Sequence, residues 1–215
     1  MVFQPVFDLE EGAIVSFEAL ARFSAEPGRP PSAWFAEAND VGLGAELELA
    51  AVESALRQLD DLPEGSDLAV NVSPATVLSE RFAELLEDVA ERVVIELTEH
   101  VEVVDYDALR EALAPLRARG ARLAIDDVGA GFANLRHILL LRPDIVKLDV
   151  SLTHEIATDA ARTSLASSLV GFAGGIDSQV TAEGIETHEE LDLLRSIGVS
   201  YGQGYFLGRP EPLLH

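Results

Sequence analysis

Several residue types and sequence features are rare or absent, and each absence excludes a kind of site or segment. Its 215 residues include no cysteine, which excludes disulfides, thiolate metal sites and cysteine nucleophiles. No apolar run reaches the roughly 18 to 20 residues that span a bilayer, and the N-terminus lacks the basic stretch and apolar core of a signal peptide. We therefore expect a cytoplasmic protein with no membrane segment in this chain.

Cationic side chains are also scarce. Lysine and arginine together number 15 against 38 aspartates and glutamates, so the formal net charge is -23. Cationic side chains supply most non-specific affinity for nucleic acid, so this balance argues against long nucleic acid as a partner. It does not exclude a small phosphate ligand, because metal ions can lie between carboxylates and a phosphate.

Lysine is the scarcest cation of all. Fourteen of the fifteen cationic residues are arginine, and the single lysine is Lys147, in the segment Asp144-Ile-Val-Lys-Leu-Asp149. Lysine carries a compact charge whose pKa shifts when the side chain is buried, whereas arginine stays protonated. Lys147 is therefore a candidate catalytic residue; the alternative is a lysine left by chance in an arginine-rich composition.

Short apolar segments rich in β-branched residues alternate with amphipathic segments along the chain, which is typical of repeated βα units. No linker divides the chain, so we expect one domain over residues 1–215. The pattern predicts strands at 2–6, 14–18, 68–71, 93–97, 123–126, 145–148, 180–182 and 201–203. It predicts helices at 32–40, with Ser32 as N-cap, and at 45–58, 79–90, 106–119, 135–140, 159–173 and 188–197.

Eight strands with interleaved helices predict an α/β fold, a (β/α)8 TIM-type barrel. The first two strands are joined through Glu11-Gly12 as a hairpin, so one strand near the N-terminus is expected to be antiparallel. In such barrels the C-terminal strand ends form the active site. Here those ends carry Glu18, Asn71, Glu96, Asp126 with Asp127, Lys147 with Asp149, Glu183, and Gln203. Converging carboxylates repel one another unless cations lie between them, and oxygen-only ligands favour Mg2+ or Mn2+ over zinc.

A series of short motifs at the predicted strand ends resembles those of the EAL domain, a bacterial phosphodiesterase domain that cleaves cyclic di-GMP. Glu18-Ala19-Leu20-Ala21-Arg22 resembles the family signature. The other matching motifs are Phe3-Gln4-Pro5, Asn71-Val72-Ser73-Pro74, Glu96-Leu97-Thr98-Glu99, Asp126-Asp127-Val128-Gly129, Lys147-Leu148-Asp149, Ala182-Glu183-Gly184-Ile185-Glu186 and Gln203-Gly204-Tyr205. They follow the family's order over nearly the whole chain.

The resemblance implies a two-metal hydrolysis of cyclic di-GMP to linear pGpG, with Mg2+ or Mn2+ as the two divalent cations. By this resemblance one metal is held by Glu18, Asn71, Glu96 and Asp126, and the second by Asp126, Asp127 and Glu183. The catalytic set is then Lys147 and Glu183, supported by Asp149 and Glu99, and the substrate-binding set is Arg22, Gln203, Gln4 and Leu20. From the residues alone, Asn71 could instead begin a turn, Arg22 could form a surface ion pair, and Gln203 could be a buried structural amide.

The sequence also departs from the family pattern. Met1 stands two residues before Phe3, where the family domain usually has more residues and a helix, so we expect an N-terminally shortened barrel. Val128 and Ala130 replace an aromatic residue and a threonine in the loop after the aspartate pair, and Val150 replaces an arginine. These changes fall on a loop that couples dimerisation to the metal site in relatives.

Three functions remain open at this stage. An active phosphodiesterase is favoured, because every acid, amide and lysine of the pattern is present. The alternatives are a catalytically weak or inactive cyclic di-GMP receptor or protein-interaction domain, and a metabolic (β/α)8 metalloenzyme acting on another substrate. The resemblance further implies a homodimer, and a possible sensory or cyclase domain in the full-length protein.

Overall fold

The computed structural model describes residues 1–24, 28–98, 103–129 and 133–213. Within these ranges the strands close into one barrel whose order around the ring is the order along the chain. The strands are β1 (Val2–Asp8), β2 (Ile14–Leu20), β3 (Asp67–Val72), β4 (Val93–Leu97), β5 (Arg122–Val128), β6 (Ile145–Leu148), β7 (Gln179–Ala182) and β8 (Tyr201–Gly202). The predicted eight-stranded barrel is confirmed.

One strand runs against the others. β1 pairs antiparallel with both β2 and β8, whereas the remaining neighbours pair in parallel. The β1–β2 hairpin turns at Gly12, whose φ of 70° lies in the left-handed region that glycine adopts without strain. The predicted antiparallel strand near the N-terminus is thus β1.

The helices occupy the positions that the pattern predicts, with adjusted ends. They are α1 (Pro31–Asp40), α2 (Gly44–Leu56), α3 (Pro74–Val77), α4 (Glu80–Leu86), α5 (Tyr106–Ala118), α6 (Ala133–Leu141), α7 (Val150–Thr153), α8 (Ala160–Gly174) and α9 (His188–Ser196). The one-turn helices α3 and α7 escaped prediction because four residues are too few to show a helical period. The prediction of Ser32 as N-cap was wrong. Pro31 suits the first helical position and begins α1, which leaves Pro30 as a cap without a side-chain hydrogen bond.

The alternation of side chains along each strand sorts the barrel into two environments. Outward-facing residues such as Val70, Ile95 and Ile125 join the main core with helix residues such as Phe82 and Leu109. Their neighbours along the strands form a separate apolar cluster of Ala69, Val94, Ala124 and Ile145. Since side chains two residues apart share a face, the next residues on these strands are Asn71, Glu96, Asp126 and Lys147, one layer nearer the C-terminal ends.

Within the described ranges, no helix is both long and apolar enough to cross a membrane.

Candidate active site

The strand ends bring one lysine into a cage of carboxylates. Lys147 Nζ lies 2.8 Å from Glu183 Oε1, 2.9 Å from Glu96 Oε2, 3.2 Å from Asp126 Oδ1 and 3.9 Å from Glu18 Oε2. The lysine side chain is only 2% exposed, and the four acids come from β2, β4, β5 and the end of β7. Four residues that are far apart in sequence therefore share one buried cation.

The charges in this cage alter each other's pKa. Burial alone would lower the pKa of Lys147, but Asp126, Glu18, Glu183 and Glu96 outweigh it and raise that pKa well above its usual value. Burial, together with the neighbouring acids, raises the pKa of Glu96 well above its usual value and that of Glu183 to about 8, against the opposing effect of Lys147. Glu18 is the exception. Burial would raise its pKa, yet Lys147 and the amides of Gln203 and Asn71 lower it.

The aspartate pair departs from the alternation of a regular strand. The β5–β6 pairing shifts register between Ile125 and Val128, and Asp127 has a φ of 55°. Consecutive strand residues normally face opposite sides, but this irregularity re-aims the second side chain. As a result, carboxylate oxygens of Asp126, Asp127 and Glu183 all lie within 4.8 Å of one another.

Amide side chains complete the inner wall of the site. Asn71 Nδ2 donates to Glu18 Oε1 at 2.7 Å, and Gln203 Nε2 donates to Glu18 Oε2 at 2.6 Å and to Gln4 Oε1 at 3.0 Å. Gln203 is 4% exposed, so it is at least a buried structural amide. Its Oε1 is buried and accepts no hydrogen bond from the described residues. This leaves an oxygen acceptor inside the site that a bound molecule could use.

This donor set suits a hard divalent cation. The groups that converge are carboxylate and amide oxygens, which are the ligands that Mg2+, Mn2+ and Ca2+ prefer. The acids around Lys147 carry more negative charge than its single ammonium can neutralise. The cluster of Asp126, Asp127 and Glu183 could therefore hold a metal ion.

Not every predicted residue lies in this cage. β6 ends at Leu148, and the Asp149 carboxylate accepts a hydrogen bond from Ser151 N at 2.9 Å as the N-cap of α7. Asp149, predicted at the same strand end as Lys147, therefore lies just beyond the strand and caps a helix. Arg22 is exposed and donates to the carbonyl of Ala21 at 2.8 Å. Glu99 lies outside the described residues.

Two recesses open beside the cage and share Leu20. One, of about 330 Å³, is lined by Gln4, Glu18, Leu20, Glu183, Gln203 and Tyr205 among others. The other, of about 220 Å³, is mainly apolar and is lined by residues that include Leu20, Arg22, Phe35 and Asn71. Gln4, Leu20 and Arg22, which lie away from the lysine, thus border these recesses.

One supporting residue was missed by sequence reasoning. Glu48 of α2 accepts hydrogen bonds at its Oε2 from Ser73 N and Ser73 Oγ, both at 2.8 Å, and from Thr76 Oγ1 at 2.5 Å. These bonds hold the turn that directly follows Asn71. No local pattern could reveal this contact, because Glu48 precedes Ser73 by 25 residues.

Sequence comparison links this geometry to known proteins. Residues 1–210 match the sequence model of the EAL domain. The chain is 31% identical over 207 residues to the probable cyclic di-GMP phosphodiesterase PdeA of Escherichia coli K12, a match that covers 91% of this chain and 28% of PdeA. The chain therefore spans little more than a quarter of that relative's length.

Solved structures share the fold. The EAL enzyme Bd1971, in a form with cAMP and cyclic di-GMP bound, superposes with a TM-score of 0.88 at 27% identity, over 99% of this chain and 62% of that one. BlrP1 of Klebsiella pneumoniae, in a complex with calcium and cyclic di-GMP, gives a TM-score of 0.84 at 30% identity, over 98% of this chain and 55% of that one. The family's sequence model and its barrel thus both cover this chain almost completely, and the chain belongs to the EAL domain family.

Proposed function

We propose that this domain hydrolyses cyclic di-GMP to linear pGpG with the help of two divalent cations, Mg2+ or Mn2+. The observation that carries the proposal is the cage itself, in which carboxylates from four strands surround Lys147 and the Asp126–Asp127 irregularity adds a further acid. Support also comes from relatives named as cyclic di-GMP phosphodiesterases and from fold neighbours solved with cyclic di-GMP and calcium or manganese.

The proposed ligands divide into two overlapping groups. Glu18, Asn71, Glu96 and Asp126 would hold one cation, and Asp126, Asp127 and Glu183 the other. When bound, such a pair of cations supplies positive charge to a phosphodiester and eases the deprotonation of a water molecule. Hydrolysis then joins the water oxygen to one phosphorus, breaks its bond to the 3′ oxygen and leaves the proton on that oxygen, which opens the ring to pGpG.

The remaining site residues would orient the nucleotide and stabilise charge. Lys147 offers an ammonium to the water or to the developing charge on the phosphate. Arg22, at the rim of the apolar recess, suits a phosphate because its guanidinium donates two parallel hydrogen bonds. The buried Oε1 of Gln203 would accept a hydrogen bond from the substrate or from an ordered water.

Two neighbouring recesses could receive the two halves of a molecule with two bases on a central ring of sugars and phosphates. The two recesses share Leu20 in their linings; one is bordered by the acid cage and the other is mainly apolar. A base needs an apolar surface to stack on and a few polar groups at its edge. We propose that Leu20 separates the two halves of the dinucleotide and that Gln4 borders one of them.

The deciding experiment is incubation with cyclic di-GMP, followed by chromatography for pGpG. Cleavage with Mg2+ or Mn2+ and none in EDTA is expected. The Asp127→Asn variant should lose cleavage, because it removes a proposed ligand while asparagine tolerates the positive φ. Asp177→Asn is the matched control: Asp177 is exposed, has a φ of 61° and precedes β7 at the opposite end of the barrel.

Each other result has a definite meaning. Binding of cyclic di-GMP without product would identify a receptor, and neither binding nor cleavage would favour another metalloenzyme. Unchanged turnover in Asp127→Asn would refute the proposed ligand set.

We further propose that the domain forms a homodimer through α6, which follows the aspartate pair. On α6 the side chains of Leu135, Leu139 and Leu140 are 42%, 61% and 38% exposed, which is unusual for apolar residues on one short helix. Leu139→Glu should shift the mass measured by light scattering to that of a monomer. Leu165→Glu, which changes a 47% exposed leucine of α8, should leave the mass unaltered.

A further inference from the structure

A further buried carboxylate lies outside the acid cage, in the first turn of α9. Glu190 is 3% exposed, although glutamate is seldom fully buried. Its Oε2 accepts hydrogen bonds from Glu186 N at 2.9 Å and Thr187 N at 3.1 Å, and its Oε1 accepts one from Glu155 N at 2.8 Å. One side chain thus satisfies three backbone donors.

These donors belong to two different loops. Glu186 and Thr187 follow β7 and lie three and four residues after Glu183, whereas Glu155 lies in the segment between α7 and α8. Glu155 has a φ of 57°, a conformation that residues other than glycine seldom adopt. The carboxylate therefore ties the loop that carries Glu183 to a strained position on its neighbour.

Two further contacts join the same loops nearer to Glu183. The buried hydroxyl of Thr153, at the end of α7, donates to the backbone carbonyl of Glu183 itself. Val150, at the start of α7, packs so closely on Gly184 that a Cβ there would lie 2.4 Å from Val150 Cγ2. The backbone from the Glu183 carbonyl onward is thus fastened to α7 and to the residues that follow it.

We propose that Glu190 is a positioning residue for Glu183, which it serves by locking the β7–α9 loop against the segment after α7. This inference rests on the proposed function, in which Glu183 is a metal ligand. Groups that hold a ligand in place typically change metal affinity by about 10-fold to 100-fold when they are removed. Glu190 acts at the backbone of the loop, so the lower end of that range is expected.

The charge of Glu190 matters as well as its shape. Alanine would leave three buried N–H groups without acceptors, which favours movement of the loop. Glutamine offers a single acceptor oxygen and an NH2 group that cannot accept. It can therefore serve one loop but not both, and an intermediate effect is expected.

The test measures Mn2+ affinity by calorimetry, together with cleavage of cyclic di-GMP at saturating Mn2+. The variants are Glu190→Ala, Glu190→Gln and Thr153→Val, with Glu189→Gln as a control that changes the exposed neighbouring glutamate in the same helical turn. Glu190→Ala should weaken Mn2+ binding about 10-fold, and Glu190→Gln and Thr153→Val by less. KM for the nucleotide should change little, and excess Mn2+ should restore much of kcat. Glu189→Gln should match the wild type.

The outcomes separate this inference from the function on which it rests. Wild-type Mn2+ affinity in folded Glu190→Ala would overturn the positioning role. If that variant does not fold, wild-type affinity in both Glu190→Gln and Thr153→Val overturns it equally. A wild-type protein that neither binds Mn2+ nor cleaves cyclic di-GMP would defeat the proposed function, and the positioning role with it.

Discussion

Replacement of Lys147 by methionine removes the ammonium from the acid cage while keeping most of the side chain's length. In the wild type, Nζ lies between 2.8 and 3.9 Å from four carboxylates. At an effective dielectric constant of about 20, each contact with an ionised carboxylate is worth roughly 4–6 kcal/mol before desolvation. Desolvation offsets much of this, and loss of one partner from a buried ion pair typically destabilises a protein by about 3–5 kcal/mol. For a domain of this size, that corresponds to a fall in Tm of about 10 °C.

The size of this fall should depend on pH. Glu183 has a pKa of about 8 against an ordinary 4.5, and the pKa of Glu96 is also raised, so both bind protons in the folded state that the unfolded chain releases. A raised pKa contributes stability that is present below the unfolded value and lost as pH rises through the folded value. Without the ammonium, the ionised forms of these acids are less favourable still, and their pKa values rise further. The stability lost when Lys147 is replaced should therefore be smaller at pH 5.5 than at pH 8.5.

Thermal unfolding in EDTA at these two pH values tests the reasoning. Arg122→Met is the control, because Arg122 pairs with Asp67 at the opposite end of the barrel, where the two side chains are 30% and 22% exposed. A partly exposed pair contributes about 1 kcal/mol or less, so this control should lose only a few degrees. A Lys147→Met variant within about 2 °C of the wild type at pH 8.5 would refute the view that the lysine neutralises the cage.

Three further outcomes are expected. Mn2+ at 100 times its Kd should stabilise the wild type by about 2.7 kcal/mol, which corresponds to a rise in Tm of roughly 5–10 °C. Most of that rise should vanish in Asp127→Asn, and an equal rise in both proteins would contradict the ligand assignment. Gly129→Ala should destabilise the fold by about 2–4 kcal/mol in urea titrations, because Gly129 has a φ of 119° and a Cβ would lie 2.2 Å from Leu152 Cδ1. Gly12→Ala, at a φ of 70° with no neighbouring atoms near the added Cβ, should destabilise the fold by less. Equal losses of stability in the two variants would argue against the close packing at Gly129. Burial would raise the pKa of Glu190, but backbone hydrogen bonds from Glu186, Glu155 and Thr187 lower it. The contribution of Glu190 to stability is therefore present above pH 4.5 and lost as pH falls through the lowered pKa. The difference in stability between the wild type and Glu190→Gln should shrink on acidification, and a constant difference would contradict this.

Much of the barrel could be predicted from local pattern. Strands at 93–97 and 145–148 were predicted to the residue, and the other strands to within two residues at either end. Gly120 and Gly198 follow α5 and α9 and have φ values of 101° and 90°, the left-handed conformation that glycine adopts at helix ends. These features depend on interactions between residues close in sequence, so a single sequence contains enough information to predict them.

The acids, amides and lysine of the candidate site could also be identified from the sequence, because they stand at the ends of predicted strands. The family resemblance, rather than spacing, divided them into ligands and substrate contacts. The local role of Asp149 was not predicted. It was grouped with Lys147 at the end of β6, but its carboxylate accepts a hydrogen bond from Ser151 N as the N-cap of α7.

The sequence by itself thus determined the order of strands and helices, and the residue types that meet at the carboxyl ends of the strands. Only the tertiary structure decided which groups touch. Ring closure puts the lone lysine between acids at four strand ends, and the irregularity at Asp127 turns a second carboxylate toward Glu183. Glu48 and Glu190 accept hydrogen bonds from the backbone of loops far from them in sequence, at Ser73 and Glu155. Such contacts depend on strand register and loop geometry, which are set by packing across the whole barrel and leave no periodic signal in the chain.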